Sequence, residues 1–211
     1  MQPQLIVIDS QSLFDWMVFR DPVCVNWPSA LGAAGWEWIF TSEMKAEFDF
    51  VAAKGFGERW PVDVDAVAAA WKGHAREVPV PPPAGGAARL HCTDPDDQKF
   101  IDLAIAAHVH TLVTRDKALL RLARKALERH GVRICRPVTW SAELSGRAQL
   151  AGIGVAPLDG AEVLPTQQGV VDAELAQRLA PLDRRRKRRT AVRPDVADAD
   201  RMRAGQTPSK R

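Results

Sequence analysis

Asp9 follows directly on the apolar run Leu5-Ile6-Val7-Ile8, and Asp116 follows Thr111-Leu112-Val113-Thr114 with one residue between. Two β-prone runs that each end at an aspartate predict carboxylates projecting from the carboxyl edge of a sheet. Glu47 falls between Met44 and Phe48 on a helical wheel, at the border of an apolar face, and so points toward the rim of that sheet. Glu43 and Asp49 point further away. Asp97 opens the apolar helix that leads into the Asp116 strand, which holds it close to the same edge. Four carboxylates brought to one place repel one another and raise their own pKa values unless a cation neutralises them. Hard oxygen ligands of this kind suit Mg²⁺ or Mn²⁺.

One acid at a strand end or helix start is more often a cap or a solvated loop residue. The four together favour a site. Asp94 either caps the helix or orients Asp97, Asp96 is read as solvated, and Asp102 is too far around the helix from Asp97 to share its face. Histidine offers no rival cluster, because His108 and His110 flank a helix end while His74, His91 and His130 are scattered.

The elements that must position these acids follow from hydrophobic spacing. Leu5 to Ile8 is a continuous apolar run, as a strand buried on both faces requires. Leu13, Phe14, Met17 and Val18 recur at helical spacing until Asp21-Pro22 breaks the pattern. A second strand is expected at Trp36 to Phe40. Thr41-Ser42 then starts a helix with an apolar face at Met44, Phe48, Val51 and Ala52, and Val64, Val67, Ala68 and Trp71 mark another. Val78 to Ala88, with four prolines and a glycine pair, reads as a loop. Asp94-Pro95-Asp96-Asp97 is helix-initiating chemistry, and Phe100, Ile101, Ala104, Ile105 and Ala107 predict a helix that belongs in the core. Thr111 to Thr114 is read as a strand, Lys117 to His130 as one helix and Val132 to Cys135 as the last strand. Strands alternating with helices predict a parallel α/β sheet covered on both faces.

The 211 residues suit one domain with an appendage rather than two full domains. A net charge of +3 names no partner, but residues 141–211 hold 13 basic and 9 acidic side chains, and all seven Trp and all seven Phe lie at or before Trp140. A globular domain over 1–140 and a basic, largely disordered extension over 141–211 are therefore expected. No apolar run is long enough to span a bilayer, and Met-Gln-Pro-Gln lacks a basic leader region, so the expected location is the cytoplasm, away from any membrane. Cys24, Cys92 and Cys135 are an odd set without Cys-x-x-Cys spacing, which predicts reduced, buried thiols.

These residues resemble a PIN domain, the Rossmann-like nuclease family that includes VapC-type toxins of bacterial toxin–antitoxin systems. The subgroup of toxin components is the best match. The resemblance is carried by Ile6-Val7-Ile8-Asp9-Ser10-Gln11, by the Ser42 to Phe48 helix with Glu47, and by Asp94-Pro95-Asp96-Asp97 leading to Leu112-Val113-Thr114-Arg115-Asp116. Asp15-Trp16 to Asp21-Pro22 matches the subgroup as well. The resemblance implies a three-layer α/β/α domain and a metal-dependent ribonuclease site in which Asp9, Glu47, Asp97 and Asp116 form the acidic quartet. Ser10 and Gln11 stand where the family usually has Thr and Asn, and Thr114 matches the family's hydroxyl residue before the last aspartate. Its implied partners are an RNA substrate, a cognate antitoxin protein and a second copy of the chain. One or two divalent ions would polarise the phosphodiester, acidify a water and stabilise the leaving oxygen during in-line attack.

Lys117, Arg121, Arg124 and Lys125 form a stripe on the expected helix, and Arg115, Arg129, Arg133 and Arg136 extend the basic region beside Asp116, as phosphate contacts require. A solvated helix face explains the stripe equally well. Arg184, Arg185, Arg186, Lys187, Arg188 and Arg189 are six consecutive cations, which attract nucleic acid or anionic lipid without sequence preference. The reading from another class is a catalytically weak nucleic-acid-binding protein that uses the stripe and the tail. A dehydrogenase is disfavoured because no Gly-x-Gly-x-x-Gly follows the first strand.

Overall fold

A computed structural model of the chain describes residues 3–33, 35–82 and 89–150. Five parallel strands form its sheet: β1 (Gln4–Ile8), β2 (Trp36–Phe40), β3 (Ala75–Glu77), β4 (Thr111–Val113) and β5 (Arg133–Cys135), in the spatial order β3-β2-β1-β4-β5. Ile6, Val7 and Ile8 are buried, as are all three residues of β4, which is why these strands read as unbroken apolar runs. The order reverses at β1, since β2 and β3 extend to one side and β4 and β5 to the other. Right-handed crossovers then place helices on both faces, and the fold is a three-layer α/β/α sandwich.

Among the described residues, seven helices lie between the strands and an eighth follows the last one. Helix α1 (Ser10–Met17) leaves β1, and a 3-10 turn at Pro22–Cys24 starts where Asp21 caps Val23 at 2.9 Å. Helix α2 (Trp27–Ala33) precedes β2, and α3 (Ser42–Ala53) and α4 (Val64–His74) lie between β2 and β3. Helix α5 (Gln98–Ala106) packs on β1 and β4, the two central strands, and its residues Phe100, Ile101, Leu103 and Ala104 are buried. Helices α6 (Lys117–Leu120) and α7 (Ala123–His130) precede β5, and α8 (Pro137–Leu150) follows it. Gly131, at φ 68°, supplies the left-handed residue that turns α7 into β5.

Three departures from the sequence reading have local causes. The helix expected over Lys117 to His130 is two helices, because Leu122 donates to Leu119 in a tightened turn before Ala126 donates back to Leu122. Leu119 and Ala126 therefore face inward, and Leu127 is exposed. On α4, Val67 and Trp71 are buried but Val64 and Ala68 are exposed, since Asp63 caps the helix and puts Val64 in its first turn. Strand β3 has no β-prone composition; it is a three-residue edge strand, and Arg76 reaches Glu37 of β2 through two hydrogen bonds of 2.6 and 2.9 Å.

Helix α8 carries the packed chain across residue 140. Trp27 and Trp140 are fully buried with ring centres 4.9 Å apart, and the Trp27 indole N–H donates to the Ser141 hydroxyl at 2.8 Å. Ser141→Ala strands that donor in the core, and is expected to cost about 1–3 kcal/mol, read as a lower urea midpoint with an unchanged slope. An unchanged midpoint would mean that the Ser141 hydroxyl adds nothing to the stability of the fold. Residues 151–211, including the Arg184–Arg189 run, lie outside the described residues.

Candidate active site at the carboxyl edge of β1 and β4

Strand order alone selects the place. In open parallel sheets a ligand crevice forms outside the carboxyl ends where the order reverses, and here that point lies between β1 and β4. Ile8 pairs with Val113, so the next residues along each strand, Asp9 and Thr114, emerge side by side.

Asp9 is buried and caps α1, its Oδ1 accepting from the Ser12 N–H at 2.7 Å. Its Oδ2 accepts from the Thr114 hydroxyl and, at 3.3 Å, from the Arg115 backbone N–H. Burial pushes the Asp9 carboxyl above the ordinary range, and these hydrogen bonds pull against that shift. The Thr114 hydroxyl also accepts from the Asp116 backbone N–H at 2.9 Å, so one side chain fixes both aspartates. Asp116 in turn accepts from Ala118 and Leu119 N–H groups at 2.5 and 3.0 Å, as the cap of α6.

The other two acids arrive from helices. Glu47, half-buried on α3, accepts from the Ser10 hydroxyl at 2.8 Å and from the Lys99 ammonium, one partner on each carboxylate oxygen. Asp97 stands at the start of α5 without capping it. Its carboxyl is pushed up to about 8, first by burial and then by the negative charges of Asp116, Asp9 and Asp94, against which Lys99 acts in the other direction. The structure thus couples Asp97 electrostatically to Asp9 and Asp116, and links Glu47 to them through Ser10 beside Asp9.

The supporting residues divide. Ser10 and Thr114 hold the carboxylates of Glu47 and Asp9 as just described, and Gln11 is half-buried in the first turn of α1. Asp94 is exposed and does not cap α5; it accepts from the Asp96 N–H at 2.9 Å and closes the turn before Asp97. Asp102 is turned away from the edge, paired with Arg89 at 2.9 Å and with Gln98 at 2.8 Å. Lys117, Arg121, Arg124 and Lys125 are exposed, but the break between α6 and α7 splits their stripe. Arg115 is not part of it. Its guanidinium lies 2.5 Å from Asp15 and 2.9 Å from Asp21, tying the β4–α6 connection to α1 and the turn that follows.

Lys99 is the residue that sequence reasoning missed. A weak signal was present, because a cation in the first turn of a helix is opposed by the helix dipole. Lys99 is held there by the Glu47 carboxylate and the Asp96 backbone carbonyl.

Among the described residues, no three His, Cys, Asp or Glu side chains stand as a ready-made metal cage. The donor chemistry nevertheless fits a hard divalent cation. Asp9, Asp97 and Asp116 offer carboxylate oxygens at one edge, and the Asp97 carboxyl is raised by burial first and then by the charges of Asp116 and Asp9. Without metal, that shift has a pH signature. From its ordinary value of 3.8 up to about 8, folded Asp97 keeps a proton that the unfolded chain has given up. The Asp97 contribution to the stability of the metal-free protein is therefore fully present below about pH 3.8 and falls as pH rises through that window, by at most about 1.4 kcal/mol per pH unit. Asp97→Asn is expected to flatten the decline in thermal melts between pH 5 and about 8; an equally steep decline would place the titrating group elsewhere.

A Rossmann-like three-layer domain with carboxylates at its switch point is an arrangement for binding a charged ligand at that edge. The family model of the PIN domain matches residues 5–118, and the chain belongs to the PIN-domain family. PIN domains are in general nucleases, hydrolases of phosphodiester bonds, and typically work with divalent metal ions. No curated protein matches the chain. Among the described residues no helix is long and apolar enough to cross a membrane.

Proposed function

We propose that the protein is a metal-dependent endoribonuclease that hydrolyses RNA phosphodiester bonds, and that it is the toxin component of a toxin–antitoxin pair. The observation that carries the reading is the meeting of Asp9 and Asp116 at the adjoining carboxyl ends of β1 and β4, where the single Thr114 hydroxyl donates to the Asp9 carboxylate and accepts from the Asp116 backbone N–H. Asp9, Glu47, Asp97 and Asp116 would hold one or two Mg²⁺ or Mn²⁺ ions. Bound there, the ion supplies Lewis acidity toward the phosphodiester and a more acidic water.

The chain's own residues supply the orientation. Thr114 fixes the direction of the Asp9 carboxylate, Ser10 does the same for Glu47, and the first turn of α6 immobilises Asp116. Lys117, next to Asp116 in the chain, and Arg121, Arg124 and Lys125, which follow it, face solvent and attract the RNA backbone in this reading. The run Arg184–Arg189 adds non-specific attraction in this reading. The proposal includes a cytoplasmic location, an antitoxin protein as natural restraint and a homodimer as working form.

Controlled expression in a bacterial host tests the proposal. Growth arrest together with new RNA ends, both absent for Asp116→Asn, is the expected result; arrest that persists in the variant would overturn it. One observation favours the second reading, a nucleic-acid-binding protein of weak activity: Lys99 sits on Glu47, a member of the quartet. Under that reading RNA is retained without new ends.

A further inference from the structure

Glu47 has both carboxylate oxygens engaged. Oε1 accepts from Ser10 at 2.8 Å, and Oε2 accepts from the ammonium of Lys99, whose side chain is 17% exposed against 25% for Glu47. The ammonium also donates to the Asp96 carbonyl, one residue before Asp97, and its charge acts on the Asp97 carboxyl. Lys99 therefore lies within the field of the acidic edge and not on the outer surface of α5.

Its placement opposes local preference. Lys99 is the second residue of α5, where the helix dipole favours anions. The acids of the edge must outweigh that cost, so the ammonium is doing there what a metal ion would do. A divalent ion and an ammonium repel strongly at contact distance in a half-buried site, and one Glu47 oxygen cannot serve both at full strength. The four-carbon stem lets the lysine head withdraw while α5 stays fixed, which a planar guanidinium would do less readily.

We infer that Lys99 is the resident cation of the acidic edge: its ammonium occupies Glu47 in the metal-free protein, and a divalent ion that uses Glu47 must displace it. Lys99 thereby sets the metal concentration at which the edge fills. This rests on the proposal that the edge binds a divalent ion, and the test separates the two.

The test is a Mn²⁺ titration of the full-length chain, followed by the electron-spin signal of free Mn²⁺, with folding checked by circular dichroism. Lys99→Met and Lys99→Gln are expected to bind Mn²⁺ about tenfold tighter than the unchanged protein. In a Glu47→Gln background the gain should disappear, because the lysine acts through that carboxylate. Equal affinity with and without Lys99 would overturn the inference while leaving the metal site intact. A gain that survives Glu47→Gln would also overturn it, showing that Lys99 acts only through the general field. Binding by the Lys99 variants and not by the unchanged chain would support it in its strongest form. Absence of Mn²⁺ binding in every variant would remove the metal site itself, and the inference with it.

Discussion

Asp9→Asn is expected to lower RNA cleavage by more than about a thousandfold while the protein stays folded. The two effects separate because Asp9 has two jobs. As the cap of α1 it needs only one acceptor oxygen for the Ser12 N–H, and asparagine caps as well as aspartate. As a member of the acidic edge it needs its charge, which asparagine lacks. Thr114 can reverse its hydroxyl and accept from the new amide, so the loss on that side is the acceptor of the Thr114 proton and the 3.3 Å contact from the Arg115 N–H. Burial already opposes the charged form of Asp9, so removing the charge relieves a strain of the metal-free protein. Its melting temperature without metal is accordingly expected to be no lower than that of the unchanged chain. Undiminished cleavage would take Asp9 out of the site, and lost cleavage accompanied by unfolding would make it a structural residue.

Arg115→Met is expected to produce the largest loss of stability, about 3–5 kcal/mol, read from denaturant unfolding without metal. Asp15 is 3% exposed and lies 2.5 Å from the guanidinium, which is itself only 19% exposed and also reaches Asp21 at 2.9 Å. Removing the arginine leaves Asp15 charged in the core beside Asp21 and the buried Cys24, whose thiol is pushed upward by burial and by both acids. Arg115→Lys keeps the charge but has one head group for two partners, so an intermediate loss is expected. A loss below about 1 kcal/mol in the methionine variant would show that the pair behaves like a surface contact. The same substitution separates structure from binding, because a guanidinium held by two aspartates is not offered to an RNA phosphate.

Three of the acids were legible in the sequence because each stands where a strong pattern begins or ends, and Glu47, in the middle of α3, was placed by its position on the helical wheel. Asp9 and Asp116 close apolar strands, and Asp97 opens a helix whose apolar residues leave little choice of orientation. Ser10 and Thr114 were named from the resemblance, but what each of them holds was not legible. Thr114 joins Asp9 to Asp116 only once β1 and β4 are neighbours, and that pairing joins residues far apart in the chain. Arg115 read as one more member of a basic stripe, since nothing near it in sequence announces Asp15 and Asp21. Helices α2 and α8 were missed for a related reason. Their helical character rests on long-range burial of Trp27 against Trp140 and Ser141 rather than on local periodicity.

The most direct measurement is cleavage of a mixed pool of labelled RNAs by the purified full-length chain, in Mg²⁺, in Mn²⁺ and in EDTA, beside Asp9→Asn. Fragments that form with metal, vanish in EDTA and are absent for the variant are the expected result. RNA bound but left intact under every metal condition would contradict the account, and would leave the carboxyl edge as part of a binding module.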